Sequence, residues 1–320
     1  MKAVQILGTP ESHEIVLSDS QPAPVPRGKE ILVKVHASGL TADEVTWPEV
    51  YKTPSRIPGH DISGVVEQLG PDYQGPMAVG DSVFAMLHAD RGQGQAEYVA
   101  VLPDEIAHKP ASISHVQAAA LPIPVLTAWE ALSDHAKLSH GAKILVTGAS
   151  GAVGLQLVQL AKKLFDAEII ALASQQHHAL LHELGASETC DYKTPDWEKS
   201  ITGLDAVFDM VGGTVLGKTW GMVKSKGVIV TVADPPPPWA FGGGAPVELK
   251  TYPDVRYVYF VLSPSSEILE KAARLIDEGA LEPLPVIEYA VSEAVEAWKL
   301  AANRGRAGKV VINFTSDTSS

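Results

Sequence analysis

A short apolar run at residues 144–147 feeds directly into Gly148-Ala149-Ser150-Gly151-Ala152-Val153-Gly154. Beyond it, Val153, Leu157, Leu160, Ala161 and Leu164 recur at helical spacing and make one apolar face. A strand, a glycine turn and a helix in that order leave few folds open. Glycine lets the backbone turn sharply and approach a pyrophosphate, and the start of a helix offers unpaired N–H groups and positive potential. The alternation continues downstream. Residues 169–173, 206–211, 228–232 and 257–262 read as buried strands, with helices over 176–184 (closed by Gly185) and 216–223. Strands alternating with helices mean parallel β-α-β units, so a doubly wound Rossmann sheet is expected. A glycine turn that binds nothing is the competing reading; the strand before it and the helix after it argue against that.

The first 120 residues have a different rhythm. Strands are expected at 31–36, 61–68 and 82–86, punctuated by Pro24, Pro26, Gly28, Pro58, Gly59, Gly75, Pro76 and Gly80. Short strands with tight turns point to a mainly β, barrel-like domain. After Ser263 come helical patterns at 267–278 and 291–302, then a strand at 309–314. That tail is assigned back to the first domain. The expected α/β architecture is therefore a Rossmann domain at 123–263 inserted into a β domain formed by 1–122 plus 264–320. A chain of 320 residues suits two cores better than one. The loop 234–246 follows a sheet strand at the edge where ligands bind, and reads as a lid, a pocket rim or a plain insertion. The final six residues are expected to be disordered.

Charge and composition exclude several classes. The net charge is −13, and Lys and Arg form no basic stripe, which argues against a nucleic-acid surface. The single cysteine, Cys190, rules out an intrachain disulfide and a four-thiolate zinc site. No stretch reaches the ~20 apolar residues of a membrane span, and residues 1–8 are too short for a signal peptide. A cytoplasmic protein is expected.

The second strand of a Rossmann unit usually ends in a carboxylate that binds the ribose 2′-hydroxyl of NAD. Here the end reads Ala173-Ser174-Gln175-Gln176-His177-His178, with no carboxylate, and Glu168 lies at the wrong end. A 2′-phosphate would be repelled by a carboxylate but can accept from Ser174 and a histidine. NADPH is the expected cofactor. The plainer alternative is that His177 and His178 only begin a solvated helix.

Together these segments resemble the medium-chain dehydrogenase/reductase superfamily, in its zinc-independent quinone oxidoreductase-like branch. The similarity runs in order through Pro58-Gly59-His60-Asp61 and its flanks at 57–66, then through 79–83, 95–99, 118–122 and 126–129. It continues through the turn at 146–154, then 184–186, Asp191-Tyr192, 205–209 and 308–311. The resemblance implies a GroES-like substrate domain beside the Rossmann domain, a site in the cleft between them, and a homodimer paired through the last Rossmann strand. It also implies roles for particular residues: Thr127 near the nicotinamide, Ser150, Gly151, Ala152 and Val153 at the pyrophosphate, and Ser174, His177 and Tyr192 around the 2′-phosphate. Phe260 and Leu262, on the last strand, are expected to present backbone groups to the carboxamide.

Zinc enzymes of the superfamily surround their metal with cysteine and histidine. His60 stands at the histidine position, but Thr41 stands at the early cysteine position, and one imidazole does not make a site that needs about three protein ligands. No metal is expected. Without a Lewis acid, hydride transfer to a quinone or a conjugated C=C bond is the easier chemistry, because the charge delocalises onto an oxygen. The segment 41–51 matches the superfamily's substrate loop and supplies Tyr51 as the candidate proton donor, with a merely packed tyrosine as the alternative. Asp43 and Glu44 qualify as acids only if their pKa values are raised. Trp47 and Trp239 are candidates for the pocket wall or for the core. Two competing functions remain: a non-catalytic NADPH-binding protein, and a zinc alcohol dehydrogenase.

Overall fold

The computed structural model describes residues 1–316, so four of the six terminal residues expected to be disordered lie outside the described residues. The chain divides into two compact units, Met1–Leu126 with the tail from Ser263, and Thr127–Leu262. These divisions fall four residues after and one residue before the expected ones. No helix among the described residues is long and apolar enough to cross a membrane.

The second unit is a six-stranded sheet. Its spatial order is Glu188–Cys190, Glu168–Leu172, Lys143–Thr147, Leu204–Asp209, Val223–Thr231 and Arg256–Tyr259. Every neighbouring pair is parallel. Numbered by chain position that order is 3-2-1-4-5-6, the doubly wound arrangement, and it reverses between Lys143–Thr147 and Leu204–Asp209. Ile144, Leu145 and Val146 are fully buried. They form a continuous apolar run rather than an alternating one, as a parallel strand covered on both faces requires.

Three local expectations need correction. The helix expected at 216–223 is Gly213–Thr219, followed by a 3-10 turn at Trp220–Met222, while Val223 already begins a strand. That strand was unreadable before Val228 because Lys224, Ser225 and Lys226 are exposed and break the apolar run. The helix expected at 176–184 begins as a 3-10 turn at Gln175–His177 and is α-helical only over His178–Glu183. Most consequentially, the last strand ends at Tyr259, so Phe260 and Leu262 lie beyond it. Among the described residues its neighbour in the sheet ends at Thr231, which pairs with Tyr259.

In the first unit a seven-stranded sheet is built around Ile31–Gly39. That strand pairs antiparallel along its length with Asp61–Leu69, while Tyr98–Val101 and Lys309–Asn313 share its other edge. Register shifts between Leu32/Val33 and Val35/Ala37 bend it, as a curled sheet needs. Ile31, Val33, Val35, Ile62, Val83, Val101 and Ile312 pack beneath. The tail is integral to this unit. Besides contributing Lys309–Asn313, it holds the region around 108–112 through Glu270, which accepts from the His108 backbone N–H at 3.1 Å, and Asp277, which accepts from the Ser112 hydroxyl at 2.7 Å.

One buried ion pair joins these pieces. Asp61, fully buried, accepts the Ile123 backbone N–H at 2.8 Å with one oxygen and the Lys309 ammonium with the other. The strand Asp61–Leu69, the final strand and the start of the helix Pro122–Glu130 therefore meet on one carboxylate. Removing one partner of a buried pair strands the other charge. Lys309→Met should lower unfolding free energy by about 3–5 kcal/mol, and adding Asp61→Asn should recover part of it. Urea denaturation reads both; a Lys309→Met protein within ~1 kcal/mol of the parent would remove this pair as a keystone.

Candidate cofactor site

The glycine turn lies at the carboxyl end of Lys143–Thr147, beside the reversal in strand order. Gly148 has φ +61°, a conformation costly for side chains with a Cβ. At Gly154 a Cβ would come within 2.5 Å of the Gly148 carbonyl oxygen, so the helix can begin hard against the turn only if that residue is glycine. The helix Ala152–Phe165 has Gly151 as its N-cap, with no side-chain cap. Its first N–H groups therefore carry their positive end potential without a side-chain acceptor. Ser150, Ala152 and Val153 are half-buried around this opening and Gly151 is exposed. The residues present fit the pyrophosphate of a dinucleotide: a close-approach turn, an open helix start and no carboxylate within the turn.

What holds the turn in place is Asp209, for which the sequence suggested no role. It is fully buried at the end of Leu204–Asp209. One oxygen accepts the Thr147 hydroxyl at 2.6 Å and the Val211 N–H at 3.3 Å; the other accepts the Thr231 hydroxyl at 2.8 Å and the Gly212 N–H at 3.0 Å. Thr147 and Thr231 are its register partners on the two flanking strands. The Thr147 oxygen in turn accepts the Met210 N–H at 3.2 Å. A signal was available in the sequence: a carboxylate directly after the apolar Ala206, Val207 and Phe208 is costly to bury without partners.

At the end of the second strand the Ser174 hydroxyl stands 3.5 Å from the Tyr192 hydroxyl, at the outer limit of a hydrogen bond. His177 lies in the adjoining 3-10 turn, its Nε2 at 3.1 Å from the Gln176 side-chain nitrogen. His178 instead donates to the Ala173 carbonyl at 3.1 Å. A carboxylate is present after all. Asp191 arrives from the neighbouring strand and accepts N–H bonds from Lys193 at 2.9 Å and Gln175 at 3.3 Å. Those bonds, the Lys193 one foremost, hold its carboxyl below the usual range. Local sequence could not show this, because the approach depends on which strands are neighbours. The Lys193 ammonium lies over the Tyr192 ring, 5.8 Å from its centre.

The remaining expected residues fall in separate places. Thr127 is buried in the helix Pro122–Glu130. Phe260 is buried with its ring 4.2 Å from that of His135, and Leu262 is half-buried. Trp239 packs edge-on to Tyr257, with ring centres 5.1 Å apart, at the margin of the apolar cluster beneath the sheet. A hollow of about 370 Å³ lined by Lys137, Lys226 and Arg256 opens at the amino ends of the sheet strands, the edge opposite the glycine turn. It is no part of this site.

In the first unit, Tyr51 sits in the short helix Pro48–Lys52 and donates its phenolic proton to the Val45 carbonyl at 2.6 Å. Burial pushes its pKa up, with the nearby Arg56 guanidinium working the other way. The Trp47 indole N–H donates to Asp43 at 3.0 Å. Glu44 is fully buried against His60. Among the described residues no three His, Cys, Asp or Glu side chains are grouped to hold a metal ion. With both His60 nitrogens beside oxygen atoms, the donor set does not fit zinc.

A family model described as an alcohol dehydrogenase GroES-like domain matches residues 27–111, and one described as a zinc-binding dehydrogenase matches residues 184–312. The chain is 31% identical over 312 residues to the "Probable zinc-binding oxidoreductase, mitochondrial" of Arthroderma benhamiae, across 92% of this chain and 91% of that one. It is 32% identical over 266 residues to the 2-methylene-furan-3-one reductase of Solanum lycopersicum, across 80% of this chain and 63% of that one. Among solved structures it is similar to the quinone oxidoreductase from Coxiella burnetii, with a TM-score of 0.85 and 31% identity over 98% of this chain and 99% of that one. The chain belongs to the medium-chain dehydrogenase/reductase superfamily of oxidoreductases, in its quinone oxidoreductase-like branch.

Proposed function

We propose that the protein is a zinc-independent, NADPH-dependent oxidoreductase that passes hydride to a quinone or to an activated C=C bond of enone, enal or enoyl type. The observation that carries this reading is the uncapped helix start behind Gly148 and Gly151, at the carboxyl edge of the sheet. Bound there, a reduced nicotinamide supplies the hydride. The chain's own work is to hold the phosphates at Ser150, Gly151, Ala152 and Val153, with Thr127, Phe260 and Leu262 proposed for the nicotinamide end. It then excludes water and places a proton source by the oxygen that gains charge. The names of the quinone and furanone reductases among its relatives support that acceptor class.

The preference for NADPH rests on Ser174, His177 and Tyr192 at the second strand. Asp191 is already held by two backbone N–H groups, and Lys193 beside it adds a positive charge suited to a 2′-phosphate. Tyr51 is the proposed proton donor, its hydroxyl turning from the Val45 carbonyl to the substrate. Engagement of the loop's polar groups with one another also supports a second reading: an NADPH-binding protein without turnover. A homodimer, paired through the open edge of Arg256–Tyr259, and a cytoplasmic location complete the proposal.

Four measurements test it. Loss of nicotinamide absorbance with a panel of quinones and α,β-unsaturated carbonyls should be fast with NADPH; tight NADPH binding without turnover across the panel would favour the second reading. Gly151→Asp puts a carboxylate at the helix start in a conformation that any residue adopts, with only the Gly148 oxygen near its Cβ, at 3.3 Å. It should weaken NADPH by at least about a hundredfold in calorimetry, through repulsion at close range; unchanged affinity rejects the phosphate cradle. Ser174→Asp should weaken NADPH more than NADH, and an equal loss dismisses the 2′-phosphate role. Tyr51→Phe should lower kcat by roughly 10²-fold at unchanged NADPH affinity if the phenol is the acid, and full activity removes it as the donor.

A further inference from the structure

We propose that His60 is held as an imidazolium in a buried ion pair with Glu44, and that this pair positions the segment bearing Trp47 and Tyr51. The inference rests on the reading of that segment as the substrate loop. His60 Nδ1 lies 2.7 Å from Glu44 Oε1, and His60 Nε2 lies 3.2 Å from the Ala89 carbonyl oxygen. A carbonyl oxygen can only accept. Glu44 Oε1 is itself an acceptor, taking the Gly59 backbone N–H at 2.5 Å. A neutral imidazole has one N–H and would set the lone pair of its other nitrogen against an oxygen. The doubly protonated ring satisfies both contacts.

The surroundings preserve that charge. The side chains of His60 and Glu44 are 1% and 0% exposed. The Trp47 ring lies tilted against His60 with centres 5.1 Å apart, and the His60 side chain is nearly fully buried, so water has little access. The charged groups that act on His60 are Glu44 and Asp61, both carboxylates, the second already paired with Lys309. Burial by itself disfavours the imidazolium. The Glu44 charge and hydrogen bond, aided by the Ala89 carbonyl and Asp61, outweigh it and lift the pKa above the ordinary histidine value.

Three segments close on this pair. Glu44 belongs to the 3-10 turn Ala42–Thr46, which leads through Trp47 into the helix of Tyr51. Gly59 and His60 precede the strand Asp61–Leu69. Ala89 lies in a loop tied to the same place by the Leu87 N–H, which donates to the His60 carbonyl at 2.8 Å. Glu44 Oε2 is buried without a hydrogen-bond partner, so the carboxylate's charge has the imidazolium as its principal compensation. An imidazolium also has no lone pair for a metal. A zinc ion would have to displace a proton from a buried, paired ring and would still lack further ligands.

The test begins with the intact ¹⁵N-histidine-labelled protein, His60 being assigned by its loss in His60→Asn or its shift in Glu44→Gln. At a pH just above the ordinary histidine value of about 6.5, both ring nitrogens should carry protons, and one equivalent of zinc should leave their signals unmoved. A bare ring nitrogen at that pH, or a zinc-dependent shift, overturns the ion pair. The positioning role is read separately. His60→Asn should move the Trp47 indole N–H resonance and lower kcat at least about tenfold, the scale of a misplaced reacting group, with NADPH affinity retained. Adding Glu44→Gln, which removes the stranded charge, should restore part of the loss. A folded His60→Asn protein with an unmoved Trp47 signal and parental kcat overturns it. Should no acceptor be turned over by the parent, the proposed function fails, while the charge state and the Trp47 signal are still measured.

Discussion

The cofactor edge of the sheet depends on a carboxylate that has no cation partner among the described residues. Asp209 is buried at the end of a central strand, and its charge is tolerable only because four donors converge on it from two threonines and two backbone N–H groups. Because Thr147 and Thr231 are in register with it on either side, the same bonds lock three strand ends level. The glycine turn leaves the sheet one residue after Thr147. Its height above the sheet, and with it the aim of the Ala152–Phe165 helix start, is therefore set by a hydrogen-bond hub that need touch no ligand. A substitution at residue 209 would act on the glycine turn through geometry rather than through contact.

The first unit answers the same problem by another route. Asp61 is as deeply buried as Asp209, but its compensation is a lysine brought back by the last strand of the chain. This gives a physical reason for the tail to return across some 250 residues of sequence: without Lys309 the carboxylate would keep the Ile123 N–H but lose its cation. Next to it, Glu44 and His60 form a second buried carboxylate–cation pair. Two adjacent residues thus take part in two charge pairs, one fastening the sheet to the tail and the other fastening it to the 42–52 segment. Buried pairs of this kind contribute little net stability, but they penalise alternative arrangements heavily, because any slip leaves a charge alone.

Much of this was legible in the sequence, and what was legible shares a property: it is local. The strand at 144–147, the turn that follows and the helical stripe from Val153 to Leu164 are set by neighbouring residues, and the observed Lys143–Thr147 and Ala152–Phe165 lie within a residue or so of that reading. Strand ends were less legible, because they depend on partners. Phe260 and Leu262 have the composition of strand residues, but the pairing with the neighbouring strand ends at Thr231 and Tyr259. Asp191 was invisible as a neighbour of residue 175 for the same reason, since strand order decides it. Glu44 could be weighed only as an acid with a raised pKa; nothing in its sequence context reveals that a histidine 16 residues away takes up its charge.

That distinction bears on the chemistry. A zinc site gathers its donors by leaving lone pairs convergent and unengaged, whereas the segment around His60 has its donors matched to acceptors inside the protein. In such a network the imidazole nitrogens are already engaged by protein oxygens. It holds the 42–52 segment in place without offering a strong electrophile to an isolated carbonyl. The acceptors that suit it are those whose own conjugation spreads the incoming charge, so that the protein needs to contribute little more than alignment, dryness and one proton. Under the proposed function, quinones and conjugated C=C bonds meet that condition, because their delocalisation would do the work that a metal does elsewhere.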